Sequence, residues 1–368
     1  MNVLVVAAIG FFVTLLAVLA LRPLAKTIDL VDRPGGRKQH DGDVPLVGGL
    51  AMFLGLVAGV GFLETSSAAA TSLVGVSAIL VAIGLLDDRF ELSRWMRLGV
   101  HLVAAIALIA GTGTLVRQLG NPFGTGEVAL HGLSVTIFTV LLITAAINAF
   151  NMLDGMDGLA SVTALTAFAG LALVSWLHGD HGQELAICAV AGAAVCGFLI
   201  FNVPARYVGG MRCFMGDAGS TLLGAVVVWL GIRTSQIPTA GAVHPVTVLW
   251  IVGLPLFELF WTVIRRVSRG RSPMKADIEH FHHLLMRAGF SVPAAFMAFA
   301  FINLMLVACG VGLDLLGVPD FVSLSLLVLT GVGLIRLMYR AHLLVRWLPA
   351  IARGTASDVS PDWSRVRE

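Results

Sequence analysis

Eleven apolar runs, separated by short stretches rich in charged, amide or small residues, cover most of the chain: 2–21, 46–63, 72–86, 98–116, 133–150, 158–177, 185–203, 220–235, 246–264, 293–313 and 321–338. Only helices and closed barrels satisfy every backbone hydrogen bond in lipid. A crossing helix takes about 20 apolar residues, far longer than a barrel strand. The pattern therefore predicts an all-α polytopic membrane protein with about eleven transmembrane helices. Several runs are short for a crossing. The run 72–86 is the shortest and is expected to tilt or to extend into Asp87-Asp88.

Composition agrees: 57% of the 368 residues are hydrophobic and only 12% are charged, against about 25% charged in a soluble domain. The formal charge of +2 adds little. The four cysteines form no framework; Cys188, Cys196 and Cys309 lie inside apolar runs and Cys213 beside a basic loop, which marks them as small core residues. The first run has no basic residue before it, so it reads as a span and not as a signal peptide.

The distribution of charge sets the orientation. The segments that follow runs one, three, five, seven, nine and eleven carry 22 of the 24 Lys and Arg; only Arg117 and Arg233 fall in the others. The positive-inside rule makes the rich side cytoplasmic. The N-terminus is then periplasmic and the C-terminus cytoplasmic, which an odd number of spans permits. Every polar motif falls on the cytoplasmic side, although the spans were read from hydropathy and the orientation from Lys and Arg alone. One transmembrane catalytic domain is expected over 1–350, with loops 22–45, 87–97, 148–158, 204–219 and 265–292 forming the site. The tail 351–368 is expected to be without fixed structure.

The motifs carry the chemistry. Adjacent carboxylates such as Asp87-Asp88 repel unless a cation or a shared proton relieves them. The plain alternative is a solvated helix end with Arg89 as partner. Arg94 and Arg97 suit either phosphate contact or snorkelling at the membrane surface. In Asn148 to Gly158, Asn148 and Asn151 are three apart, as are Asp154 and Asp157, so each pair could share a helical face. Gly155 and Gly158 allow a helix end and close backbone approach to a ligand. Carboxylates and amides of this kind suit a hard cation such as Mg²⁺; an ordinary capped turn is the bland reading. Gly216-Asp217-Ala218-Gly219-Ser220 resembles a turn opening a helix whose free N–H groups could cradle phosphate, with Asp217 as a simple N-cap the alternative. His280, His282 and His283 lie in the longest basic loop with Arg265, Arg266, Arg269 and Arg271. Without a cysteine or a helical His pair, phosphate contact fits them better than zinc. The loop Arg33 to His40 suits a nucleotide phosphate or an anionic lipid surface. Glu258, inside a span, is either functional or paired with an arginine, and His101 reads as a core histidine.

Four ordered anchors together resemble one family, the polyprenyl-phosphate N-acetylhexosamine-1-phosphate transferases. They are Asp87-Asp88-Arg89, Asn148 to Gly158, Phe214 to Thr221, and Ser272-Pro273 through His280 to Leu284. The resemblance covers nearly the whole chain. His283 to Phe290 and Arg37-Lys38-Gln39-His40 are similar to the WecA-like branch, which commonly carries isoleucine where Phe281 stands. The resemblance implies transfer of a sugar 1-phosphate from a UDP-N-acetylhexosamine, first of all UDP-N-acetylglucosamine (UDP-GlcNAc), to undecaprenyl phosphate, releasing UMP. It implies Mg²⁺, with Mn²⁺ as substitute, and initiation of O-antigen, enterobacterial common antigen or a related envelope glycan at the bacterial inner membrane. Asp217 and Asn151 resemble metal ligands, and Asp87 the acid beside the attacking lipid phosphate, which Asp88 and Arg97 would orient. Asp157 and the backbone at Gly155 resemble the uracil contact; His280, His282 and His283 would hold the pyrophosphate. Asp154, Asn148 and Arg265 belong to the same cluster. Other UDP-sugars, among them UDP-N-acetylfucosamine and the muramyl-pentapeptide donor, are the near alternatives, and a transporter the distant one. The partners implied are the two substrates, the bilayer and a second copy of the chain, with no nucleic acid.

Overall fold

The computed structural model describes residues 2–33, 42–63, 67–179, 182–203, 211–236, 243–272 and 279–340. Every predicted apolar run is helical: α1 (Val3–Thr27), α2 (Gly48–Gly61), α3 (Ala68–Phe90), α4 (Arg94–Thr112), α5 (Leu133–Leu153), α6 (Leu159–Leu177), α7 (Gln183–Leu199), α8 (Gly216–Ser235), the pair α9 (Pro245–Ile251) and α10 (Gly253–Ser268), α12 (Val292–Leu315) and α13 (Asp320–Tyr339). Two elements are additional: α11 (Phe281–Ala288) and a short hairpin, β1 (Val31–Asp32) antiparallel to β2 (Val44–Pro45). The tail 351–368 and the Arg37-Lys38-Gln39-His40 loop lie outside the described residues.

Among the described residues eight helices are long and apolar enough to cross a membrane, or nine if the bent pair counts as one span. This is an all-α polytopic membrane protein. Helices α2 and α7 are shorter, with 14 and 17 residues. The run predicted as shortest is extended at both ends; α3 has 23 residues and carries Asp87 and Asp88 in its last turn. Helix α4 begins four residues earlier than its apolar run, because the Ser93 hydroxyl caps it by accepting Met96 N–H at 3.3 Å.

The ninth run breaks at Val252, and α9 and α10 meet at 80°. Pro255 stands just beyond the break and has no N–H to continue the ladder. The start of α9 lies at the end of the bundle away from the polar motifs, amid buried acids. Asp314 receives His178 Nε2 at 2.5 Å and the Thr247 hydroxyl at 2.8 Å. Asp320 sits 2.8 Å from His244 Nδ1 and accepts Asn121 N–H at 2.7 Å. Arg233 pairs with Glu184 at the same end.

Helix α8 is the hub, buried along nearly its whole length and packed against α2, α3, α5 and α6. Small residues let its N-terminus come this close. A Cβ added at Gly84 of α3 would fall on the Ala218 backbone, so Asp87 and Asp88, one turn on, lie directly beside the start of α8. The cysteines are only partly core residues: Cys188 and Cys213 are buried and Cys196 half-buried, but Cys309 is exposed on α12. Helix α12 packs on α6 and α9, and α13 on α9 and α10.

Candidate active site

At one end of the bundle α3, α5 and α10 finish and α4 and α8 begin, and the polar motifs meet there. Arg97, in the first turn of α4, spans two acids: its Nε lies 3.4 Å from Asp87 Oδ2 and its Nη1 3.4 Å from Asp217 Oδ2. Asp217 Oδ1 accepts Asn151 Nδ2 at 2.5 Å, and the same nitrogen reaches Ser220 Oγ at 3.1 Å. Four residues from four helices thus form one polar cleft, which Leu80, Gly84, His101 and Thr221 also line. Asp87 is buried, and its Oδ1 accepts Leu92 N–H at 2.7 Å as the chain leaves α3.

Asp88 is placed differently from the expectation. Its two oxygens accept Asp217 N–H at 2.8 Å and Ala218 N–H at 3.4 Å. The free N–H groups that would cradle a phosphate at the start of α8 are therefore occupied by a carboxylate, which the positive end of the helix favours. Asp217 is not the N-cap either. That position is Met215, and the Asp217 carboxylate is left facing Arg97 and Asn151. Arg89 is not the partner of the acid pair; it reaches Asp29 Oδ2 at 3.3 Å. Arg94 is exposed.

Asn148 and Asn151 do share a face of α5, with the Asn148 amide bonded back to Thr144 O at 2.8 Å. Asp154 and Asp157 do not, because α5 ends at Leu153 and both acids lie in the turn before α6. Burial, followed by the nearby charges of Asp217 and Asp157, holds the Asp154 carboxyl well above the ordinary carboxylate range. Asp157 pairs with Arg212 at 2.5 Å, and the Arg212 guanidinium lies over the Phe214 ring.

The histidines sit at the start of α11. His280 is its N-cap, and His282 and His283 occupy its first turn with ring centroids 4.1 Å apart. A Cβ on Gly155 would lie 2.5 Å from His282 Cε1, so only glycine lets the α5–α6 turn touch this ring. His282 is buried, and its Nε2 has no hydrogen-bond partner. Burial, then the neighbouring His283 and His280, pushes its imidazole well below the usual range and keeps it neutral at pH 7. Among the described residues this buried nitrogen, against the glycine turn, has no hydrogen-bond partner. Gly155→Ala should raise KM for the substrate that this turn contacts by about tenfold or more, since small displacements of a positioning group are costly. An unchanged KM in steady-state kinetics would show that this contact does not shape the site.

Three side chains outside the expected set belong to its surroundings. Asn202 accepts Gly158 N–H at 2.8 Å and donates to Cys213 O at 2.9 Å, tying the glycine turn to the segment before α8. His101 lines the cleft instead of the core, buried with its Nδ1 unpartnered. Its position one turn after Arg97 was the available signal. Glu279 lies 3.5 Å from Arg265 Nε and accepts Arg269 Nη1 at 2.7 Å, so two of the basic residues are neutralised within the loop.

No group of three or more His, Cys, Asp or Glu that could hold a metal occurs among the described residues. Mg²⁺ does not require one, since it takes one or two carboxylates and completes its shell with water and substrate phosphates. Asp217, whose carboxylate is 30% exposed, and Asp87 beside it offer carboxylate oxygens of the kind such an ion takes, whereas Asn151 turns its Nδ2 to Asp217, so its amide would have to flip to present an oxygen.

The family model for glycosyl transferase family 4 matches residues 70–235, from α3 to α8. An undecaprenyl-phosphate α-N-acetylglucosaminyl 1-phosphate transferase of Escherichia coli O157:H7 is 35% identical over 364 residues, covering 96% of both chains. The chain belongs to the polyprenyl-phosphate N-acetylhexosamine-1-phosphate transferase family. Proteins of the same name from Yersinia pestis, 34% identical over 84% of both chains, and Haemophilus influenzae, 35% identical over 83% of this chain and 84% of the relative, are also similar. Like its relatives, this transferase is a multi-pass protein of the bacterial inner membrane.

Proposed function

We propose that this transferase moves N-acetylglucosamine 1-phosphate from UDP-GlcNAc to undecaprenyl phosphate, giving undecaprenyl-pyrophosphoryl-GlcNAc and UMP. The observation that carries the reading is the Asp87–Arg97–Asp217–Asn151 cleft, in a chain that matches transferases of this name over nearly its whole length. A transporter would place its charged groups at mid-membrane; here they gather where helices end.

In this reading an oxygen of the lipid phosphate attacks the β-phosphorus of the donor. The bond from that phosphorus to the bridging oxygen breaks, and UMP leaves with the electron pair. Asp217 and the Asn151 amide would hold Mg²⁺ or Mn²⁺, which supplies charge neutralisation at the phosphates. Arg97 orients the lipid phosphate from the membrane side, next to Asp87. Asp88 positions Asp217 by anchoring the start of α8. Asp157 and the Gly155 turn receive the uracil end. His280, His282 and His283 receive the pyrophosphate, with Asp154, Asn148 and Arg265 supporting the same cluster. The test is a purified-enzyme assay with UDP-GlcNAc, UDP-N-acetylfucosamine and UDP-MurNAc-pentapeptide, following UMP and lipid product. Product from UDP-GlcNAc is expected; product only from another donor replaces the sugar, and none from any donor removes the reaction.

The same proposal includes one catalytic domain over 1–350, eleven crossings, and a periplasmic N-terminus opposite a cytoplasmic site. Support comes from the two short helices, which also run end to end. Helix α2 starts where Gly48 and Gly49 bond Phe214 and Met215, and Gly59 near its other end lies against Val6. Helix α7 runs from Glu184, beside Arg233, to Phe198, beside Gly48. At ~1.5 Å per residue α2 is only about 21 Å long, so the bilayer thins or dips there. In a variant lacking native cysteines, a single cysteine at exposed Leu316 should react with an impermeant thiol reagent in intact cells, and one at Leu92 should not. The opposite labelling would invert the topology. Assembly as a homodimer belongs to the proposal too, and native mass spectrometry reads it directly.

A further inference from the structure

Glu258 is 1% exposed inside an otherwise apolar stretch of α10, where a carboxylate is costly without a purpose. The expected arginine partner is not what meets it. Its Oε2 accepts Phe281 N–H at 3.1 Å, and its Oε1 lies 2.7 Å from His280 Nδ1. One carboxylate therefore fixes both the first turn of α11 and the ring of its N-cap residue. With Nδ1 held by Glu258, the tautomer and ring plane of His280 are set. The His280 ring lies parallel to that of His282, with an interplanar angle of 3° and centroids 5.9 Å apart. Seven residues along α10, on the same face, Arg265 donates to Glu279 O. Thr262 between them is buried on that face. This face of α10 thus grips the segment 279–283 at two points.

We infer that Glu258 is a positioning residue for phosphoryl transfer: through His280 it fixes the histidine cluster at the geometry that receives the donor pyrophosphate. This rests on the assignment of that cluster under Proposed function. A carboxylate serves where an amide would not, because it accepts two N–H groups at once while offering no donor that would face one of them.

A double-mutant cycle on the purified full-length enzyme separates positioning from bulk stability. Glu258→Gln should lower kcat with UDP-GlcNAc by about tenfold or more, in the range set by a displaced catalytic contact. In the His280→Ala background the same change should cost less than about threefold, since its effect passes through His280. Equal costs in both backgrounds, or no cost in either, would overturn the inference. Should Glu258→Gln fail to give a cooperative melt, Glu258→Asp, which keeps the charge and withdraws it by one methylene, takes its place in the same cycle. A second readout is independent of the substrate assignment. In protein labelled with ¹⁵N-histidine, the Nδ1–H resonance that disappears in His280→Ala should shift in the Glu258 variant. If no donor gives product while this resonance shifts, the proposed reaction fails and the Glu258–His280 link stands. If the resonance is unmoved, the link itself is lost, whatever the activity.

Discussion

Asp217→Asn should lower turnover by about a hundredfold or more, equivalent to about 2.7 kcal/mol of barrier. The substitution keeps the shape and removes one charge from the point where Arg97 and Asn151 converge. Little of the loss should come from unfolding. Asp217 is tied into α8 by its backbone, whose N–H meets Asp88 and whose carbonyl accepts the Thr221 hydroxyl at 2.7 Å, and both contacts survive in asparagine. The negative side chain also sits in the first turn of α8, where losing it costs about 0.3–1 kcal/mol of stability, too little to empty the folded state. If Asp217 holds Mg²⁺, the Mg²⁺ concentration giving half-maximal activity should rise together with the fall in kcat. Near-normal turnover and an unchanged Mg²⁺ dependence, in a variant that melts like the parent, would rule out a direct metal role.

The sequence made the helices legible because lipid imposes a length and a composition on each of them, and all eleven apolar runs are helical. Hydropathy does not see backbone direction, so the 80° break at Val252 inside one continuous apolar run was invisible, although Pro255 was a marker. The polar anchors were legible as a set; their pairings were not. Asp87 and Asp88 are adjacent in the chain but point to different tasks, one toward Arg97 and the other onto the N-terminus of α8, because neighbouring residues on a helix face about 100° apart. Asn202 lies 44 positions from its partner at Gly158 and carries no local signal. Glu258 could have been placed sooner. Glu258, Thr262 and Arg265 recur at helical spacing in an apolar stretch, a polar stripe that needs another polar segment to cover it, and the histidine loop follows directly in the chain.

Asp87→Asn and the histidine variants should fail in different ways. Asp87 lines the cleft with one oxygen held by Leu92 N–H and the other turned to Arg97, which the proposed function gives to the lipid phosphate. Asparagine can keep the first contact, but it either loses the second or turns an N–H₂ group toward the guanidinium. The lipid phosphate would then be misplaced while the donor is still bound, so kcat should fall by about tenfold to a hundredfold with little change in UDP-sugar affinity. His282→Ala removes a buried ring that lies against Gly155, and His283→Ala removes the ring packed on it at 4.1 Å. Both changes strike the wall facing the Gly155 turn, which the proposed function gives to the nucleotide, so they should weaken donor binding by about tenfold, the size of one or two lost hydrogen bonds. Isothermal titration of UMP and UDP-GlcNAc against each variant, alongside kcat, distinguishes the two patterns. Loss of nucleotide binding in Asp87→Asn with normal binding in both histidine variants would mean that the lipid and nucleotide sides of the cleft are the reverse of those assigned.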